Sequence, residues 1–168
     1  YSFYLQLKKL GRIKNLVVGR YRVNFGMGLV INNDFTLGKV AMLTSLGKQS
    51  YNIRPHSSRS SSNYLQGAAA TVQLSKGLDI SGFVSYRKID ATLNKDSSIS
   101  TILDNGYHRT ETEMSKKNNT SQWLAGTNIR YKFKNFHVGA TAIYTSLNRS
   151  LSPKTETLYR RYYATGDN

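Results

Sequence analysis

The sequence contains no cysteine. It can therefore form neither disulfide bonds nor thiolate metal sites, and it offers no cysteine nucleophile. It also lacks any run of about 20 apolar residues, which excludes a transmembrane helix. Membrane strands stay compatible with the mean hydropathy of -0.48, because a barrel strand shows only every second side chain to lipid.

Acidic residues are scarce as well. Nine Asp and Glu stand against 24 Lys and Arg, which gives a formal net charge of +15. Such a charge attracts anions, namely nucleic acid, lipopolysaccharide or acidic polymers. A basic barrel lumen with basic loops explains the charge without a dedicated nucleic-acid site, and we favour that interpretation.

Alternation of apolar and polar side chains predicts long β-strands. Between Val17 and Ile31 nearly all odd positions are large and apolar, whereas the even positions include Arg20 and Arg22. Successive side chains of a strand lie on opposite faces, so we assign the odd positions to an outward apolar face. The segment exceeds the about 5–6 residues of a common soluble strand and suits a tilted membrane strand of about 9–11 residues.

Residues 121–146 predict a hairpin with a two-residue turn at Lys134-Asn135. On one face, aromatic side chains stand near the strand ends and small residues lie between them. We interpret the aromatics as the girdle of a membrane barrel, because such rings settle at the headgroup level of a bilayer. The predicted girdle residues are Trp123, Tyr131, Phe133, Phe136 and Tyr144.

Short and long connections alternate along the chain. In order they are residues 10–14, 32–62, 75–77, 91–120, 134–135 and 148–156. This is the layout of outer-membrane barrels, which have short periplasmic turns and long extracellular loops. It predicts six strands and the start of another at 157–164, too few for bacterial barrels, which have at least about eight.

The patterns together predict an all-β fold, an incomplete antiparallel transmembrane β-barrel of about 6–7 strands. Residues 1–168 are expected to form a single barrel segment. The stretch 32–62 is too apolar for an exposed loop, and we expect it to fold inward as a constriction or plug. The polar stretch 91–120 is expected to be a long extracellular loop. Residue 1 is Tyr, so we expect a piece of a longer protein.

Several stretches also resemble a known family. They are GRYRVNFGMGLV (19–30), LGK (37–39), IRP (53–55), YLQGAA (64–69) and GYHRTE (106–111). In this order they resemble the barrel portion of Bacteroides-type outer-membrane proteins that carry competence-type helix-hairpin-helix repeats, the helix-hairpin-helix domain-containing protein family. The resemblance covers residues 16–115 and implies a connection to DNA. This chain contains no such repeat, so no residue here carries that implication.

Residues suited to catalysis or metal binding lack a diagnostic spacing. His56, His108 and His137 are isolated in the sequence, and His108 and Glu111 would lie on opposite faces of a strand. Asp104, His108 and Glu111 could supply parts of a hydrolase site but form no known pattern. We therefore predict no enzyme, no catalytic residues, no cofactor and no metal.

Four basic residues, Arg20, Arg22, Arg130 and Lys132, fall on the predicted lumen faces. They could form an anion-attracting pore lining. The favoured alternative is that they form salt bridges with lumen acids and a plug, with Asp79 and Asp90 as the possible partners. Because acids are few, some of the basic residues are then expected to lack protein partners.

Residues 159–163, Tyr-Arg-Arg-Tyr-Tyr, mix aromatic and basic side chains. Such a mix can clamp single-stranded nucleic acid, but a girdle with arginines at the lipopolysaccharide level is favoured. The sequence therefore predicts a segment in the bacterial outer membrane, serving as a conduit, a plugged pore or the anchor of a larger envelope protein linked to DNA or macromolecule transport. Outer-membrane lipid, lipopolysaccharide and other envelope proteins are the expected partners. The alternative is a soluble basic β-sheet protein that binds nucleic acid.

Overall fold

The computed structural model describes residues 3–26, 28, 30–33, 52–57, 64–103, 106 and 108–154. These residues form eight strands and one short helix: β1 Tyr4–Leu10, β2 Ile13–Val23, β3 Ile53–Pro55, β4 Leu65–Ser75, β5 Leu78–Leu93, β6 Ile99–Leu103, α1 Glu111–Ser115, β7 Thr120–Lys132 and β8 His137–Leu147. The strand predicted at 157–164 and the Tyr-Arg segment 159–163 lie outside the described residues.

All the described strands belong to one open antiparallel sheet, which confirms the predicted all-β antiparallel fold. The main path of the sheet is β1-β2-β4-β5-β7-β8. Two short strands lie off this path, since β3 pairs with β2 and β6 pairs with β5. Neighbours on the main path follow one another along the chain, as in a β-meander.

The short connections lie where the sequence predicts them. Two residues join β1 to β2, and Lys76-Gly77 join β4 to β5. Gly77 has a φ of 94°, in the region that favours glycine. Between β7 and β8 the Phe133 N–H donates to the Phe136 carbonyl at 2.8 Å, which closes the predicted two-residue turn.

The stretch 91–120 is more regular than a loop prediction suggests. It contains the end of β5, all of β6, and α1. Helix α1 begins with a capping box, in which the Thr110 hydroxyl accepts from the Glu113 N–H and the Glu113 carboxylate accepts from the Thr110 N–H. No helix in the described part of the chain is long and apolar enough to span a membrane.

β2 differs from its predicted bounds. It runs from Ile13 to Val23, whereas the alternating pattern continues to residue 31. Gly26 and Gly28, beyond the strand, have φ angles of 59° and 76°, which a regular strand does not have. The glycines turn the chain out of the strand although the apolar side chains continue at alternate positions.

The face of β2 that packs inside the protein also differs from the predicted one. Val17, Tyr21 and Val23, predicted to face outward, are fully buried in the protein core. The cause lies in Leu16-Val17-Val18, three consecutive apolar residues that leave both faces of the strand apolar. Alternation alone therefore cannot tell which face of β2 packs inside.

The described chain divides into two compact units. Unit 1 comprises Tyr1–Ser85 and Leu124–Tyr144, and unit 2 comprises Tyr86–Trp123 and Thr145–Asn168. The core of unit 1 contains Val17, Tyr21, Val23, Phe25, Ile31, Ile53, Leu65, Ala69 and Phe83.

Unit 2 has its own buried residues, among them Ile89, Ala91 and Ile99. The side chain of Asn119 bonds the backbone of Ala91 in β5 as a neighbouring strand would. Its Oδ1 accepts from the Ala91 N–H at 3.1 Å, and its Nδ2 donates to the Ala91 carbonyl at 2.7 Å. The side-chain amide of Asn94 in turn donates to the Ser98 hydroxyl and to the Ser152 carbonyl, at 2.9 Å each. These contacts hold the ends of the connecting segments in place.

Candidate functional site

The outer face of unit 1, the face opposite its core, carries exposed apolar side chains. Leu5 pairs with Val18, Val18 with Ala68, and Ala68 with Val84, so one apolar row crosses β1, β2, β4 and β5. Leu5, Val18 and Val84 are exposed by 62%, 44% and 49%. Strands β7 and β8 contribute further exposed apolar side chains, including Ile129 and Val138.

The inner face of unit 1 packs around a core and also carries buried polar groups. In the row beside the outer one, Val17 pairs with Ala69 and Ala69 with Phe83, and all three are buried. The buried hydroxyls of Thr71 and Ser81 form a hydrogen bond of 2.9 Å. These two hydroxyls of the inner face thus satisfy each other, as burial requires.

The core side chains of unit 1 fill the space beside the inner face. The Phe83 ring meets Tyr21 edge-on with centroids 6.5 Å apart, and it meets Phe25 at 5.7 Å. The Tyr21 hydroxyl donates to the Val84 carbonyl at 2.8 Å. Ile53 and His56, in the described part of the 32–62 stretch, are buried as well. The inner side is therefore packed with protein at this level.

All five predicted girdle residues are exposed. Phe133 stacks on Phe136 at a centroid distance of 4.4 Å and meets Tyr131 edge-on at 4.5 Å. Trp123, near the start of β7, packs on Tyr86 with ring centroids 4.9 Å apart, and Tyr86 lies outside the predicted girdle set. Tyr144 lies near the end of β8. A girdle role stays a prediction for these residues.

The structure does not bring the four predicted lumen residues together. Arg20 pairs with Gln66, on the face of β4 that carries Ala68, and its guanidinium lies 4.3 Å from the centre of the Tyr64 ring. Arg22 donates from Nε to Nδ1 of the buried His56 at 2.8 Å. These two arginines interact with residues of the 52–64 region.

Arg130 and Lys132 lie at the other end of unit 1. Arg130 donates from Nη2 to Asp79 Oδ2 at 3.0 Å, which confirms the expected salt bridge to that acid. The Lys132 N–H donates to the Gly77 carbonyl at 2.8 Å. Since Asp79 shares a strand face with Ser81 and Phe83, Arg130 lies on the inner face, opposite to Arg20.

A basic cavity with a volume of about 1180 Å³ opens beside Asp79. Its charged lining residues are Lys8, Lys9, Lys14, Arg54, Asp79 and Arg130. The Lys14 ammonium lies 2.6 Å from Asp79 Oδ1, so this carboxylate binds two cations at once. Lys8, Lys9 and Lys14 come from the β1-β2 hairpin, whereas Arg54, Asp79 and Arg130 are brought to them by the pairing of β2 with β3 and by the ion pairs of Asp79.

His108 and Asp90 form a small polar cluster in unit 2. His108 Nε2 lies 2.8 Å from Asp90 Oδ2, and Asp90 Oδ1 accepts from the Asn118 N–H at 2.8 Å. Among the described residues no group of three or more His, Cys, Asp or Glu could hold a metal ion. Asp104 lies outside the described residues, and His137 is exposed at the start of β8.

The Glu113 carboxylate has a lowered pKa. It accepts from the backbone N–H groups of Arg109 and Thr110, at 2.7 Å and 3.3 Å. The bond from Arg109, followed by that from Thr110, lowers the pKa of Glu113 below its ordinary value. The shift arises from helix capping and needs no catalytic explanation.

No protein-family model, no curated protein and no solved structure matches this chain.

Proposed function

We propose that this chain forms part of the wall of an outer-membrane β-barrel and that its outer face contacts lipid. The observation that carries the proposal is the exposed apolar row from Leu5 to Val84 beside a row buried in protein. Exposed apolar patches that extend over many residues are rare in soluble monomers and mark contact surfaces. Exposing such a face costs free energy in water but not in the hydrocarbon phase of a membrane.

The lengths of the strands support the same proposal. Strands β2, β4, β5, β7 and β8 have between 11 and 16 residues, and a tilted membrane strand needs about 9–11. Along β7, Trp123 and Tyr131 stand near the two ends, with Ala125, Thr127 and Ile129 between them on the same face. Aromatic residues at both ends of an apolar band are typical of barrel strands.

The packed inner side of unit 1 favours an anchor or a plugged barrel over an open conduit. Phe83, Tyr21 and Phe25 occupy the space that water would fill in an open pore. Outer-membrane lipid and lipopolysaccharide are the proposed contacts of the outer face, and other envelope proteins are proposed partners. The link to DNA or macromolecule transport rests on the family resemblance alone.

The charge of +15 supports a second candidate, a soluble basic β-sheet protein that binds nucleic acid. The two candidates predict different behaviour of the same side chains. A soluble protein would have to cover the row from Leu5 to Val84 with further protein, whereas a membrane wall leaves it against lipid.

Membrane fractionation of the full-length native protein separates the candidates. We expect the protein to stay in the outer-membrane fraction after a sarkosyl wash and to change its gel mobility on boiling, as closed barrels do. A protein that is released into the soluble fraction and migrates equally with and without boiling would contradict the proposal. Nucleic-acid binding would then be the first activity to measure.

A further inference from the structure

The basic cavity of unit 1 gathers five cations around one carboxylate, three of them, Lys8, Lys9 and Lys14, on its exposed rim. Among the described residues that line it, Lys8, Lys9, Lys14, Arg54 and Arg130 are cationic, and Asp79 alone is acidic. Lys14 and Arg130 share the Asp79 carboxylate at 2.6 Å and 3.0 Å. Cations outnumber the carboxylate five to one, so the potential inside the cavity favours anions.

Two irregularities of the backbone bring the lysines to the cavity. The pairing of β2 with β4 shifts between Ile13 and Asn15, so Lys14 is the extra residue of a bulge. A bulge can place a side chain on the opposite face of the sheet from the one that regular alternation predicts. Lys9 has a φ of 58°. Only a few per cent of non-glycine residues adopt this left-handed conformation. Unusual backbone conformations cost free energy and cluster at functional sites, so their presence where like charges meet indicates a site with a function.

The size and the donors of the cavity define the ligand. A volume of about 1180 Å³ is slightly above the roughly 300–1,000 Å³ of small-molecule sites, so it can hold an extended ligand. Lysine ammonium groups bind phosphate as point charges, and arginine binds it through paired N–H donors. We propose that the cavity binds an anionic ligand with more than one phosphate group. Asp79 positions Lys14 and Arg130 for this ligand.

The proposal does not rest on the membrane location. A phosphorylated ligand could be a soluble compound or the headgroup of a phosphorylated lipid, because both present the same chemistry to the five cations. The cavity would bind either ligand in a barrel wall and in a soluble sheet. Failure of the membrane proposal would therefore leave this one standing, and the reverse also holds.

Calorimetric titration of the whole chain with tripolyphosphate tests the proposal. We expect saturable binding that weakens as salt rises, because salt screens exposed charges. The double substitution Lys8→Gln/Lys9→Gln should weaken binding by about a hundredfold, since each lost hydrogen bond to a charged group weakens binding by about tenfold. Lys8→Arg/Lys9→Arg should retain binding.

The matched control is Lys95→Gln/Lys117→Gln, which removes the same charge from exposed sites of unit 2. We expect this variant to bind tripolyphosphate as the parent chain does. Equal weakening in both double variants would show a nonspecific charge effect and overturn the proposal. Circular dichroism of each variant verifies that the sheet is intact.

A parallel titration with mixed micelles that contain diacylglycerol pyrophosphate, a lipid with two phosphate groups in its headgroup, identifies the source of the phosphate. Saturable binding of tripolyphosphate supports a soluble ligand. Binding to diacylglycerol pyrophosphate micelles alone, lost in Lys8→Gln/Lys9→Gln, supports a lipid headgroup. Binding to neither probe contradicts the proposal.

Discussion

Two adjacent rows of the same sheet show how differently unit 1 treats apolar side chains. Val17, Ala69 and Phe83 form the inner row, and each is buried by other protein side chains. One residue along each strand, the outer row of Val18, Ala68 and Val84 is exposed to the surroundings. Apolar character therefore does not reveal whether a residue packs inside the protein or faces its surroundings, because both rows consist of apolar residues.

The difference between the rows lies in what stabilises them. The inner row gains from close packing and should keep that stabilisation in any solvent. The outer row gains only where an apolar medium covers it, with about 25 cal/mol for each Å² removed from water. Substitutions in the two rows should consequently respond differently to the environment.

Phe83→Ala should have the largest effect, because it removes a ring that is 3% exposed and packed on Tyr21 and Phe25. We expect a loss of about 3–5 kcal/mol in the free energy of unfolding, measured with urea in detergent micelles. Phe136→Ala, at an exposed position, is the control and should cost much less. Similar losses in both variants would contradict the inner packing.

Val84→Arg sharpens the comparison from the outer side. An arginine on the lipid face costs about 2–4 kcal/mol at the bilayer midplane and about 0–1 kcal/mol near the interface, and Val84 lies between these depths, two residues from the girdle partner Tyr86. A surface arginine on a soluble protein costs little. We expect a marked drop in the amount of protein recovered from the outer membrane. Val84→Leu keeps the face apolar and should assemble normally. Normal recovery of Val84→Arg would place the outer row in water.

Gly126 and Gly82 test how closely the sheet packs on its inner side. A Cβ at Gly126 would lie 2.6 Å from Phe83 Cε1, whereas one at Gly82 would meet no atom closer than 3.8 Å. The buried Phe83 ring packs on Tyr21 and Phe25, so moving it disturbs these contacts. Gly126→Ala should lower the free energy of unfolding by about 1–3 kcal/mol. Gly82→Ala should be neutral or slightly stabilising, and a reversed order in urea unfolding would disprove this packing.

Glu113 should give the smallest effect, confined to unit 2. Because capping lowers its pKa in the folded protein, its stabilisation is present above the ordinary pKa and is lost as pH falls through the lowered one. We expect the Arg109 and Thr110 amide NMR signals to shift together during acid titration. Glu113→Gln should abolish this coupled shift, and an unchanged titration in that variant would argue against the cap.

The hairpin of β7 and β8 could be predicted from its sequence because each strand alternates strictly and the turn is short. Phe133 and Phe136 pair as expected. β2 could not be placed in this way. Its residues 16–18 are apolar on both faces, and only the partners Ala69 and Phe83 decide that Val17 lies inside.

The basic cavity could not be predicted from spacing at all. Lys14 reaches Asp79 because a bulge shifts the register of β2 against β4. A one-residue shift changes which face a side chain occupies, and no local pattern around Lys14 signals it. The predicted set of Arg20, Arg22, Arg130 and Lys132 instead joined residues that occupy separate places in unit 1.

The environment of Trp123 tests the membrane account most directly. It is the one tryptophan of the chain, it is 53% exposed, and it belongs to the proposed girdle. With the full-length protein reconstituted in vesicles and all other tryptophans replaced by phenylalanine, we expect brominated lipids to quench its fluorescence and aqueous iodide to leave it largely unaffected. Quenching by iodide with no effect of brominated lipid would contradict the account.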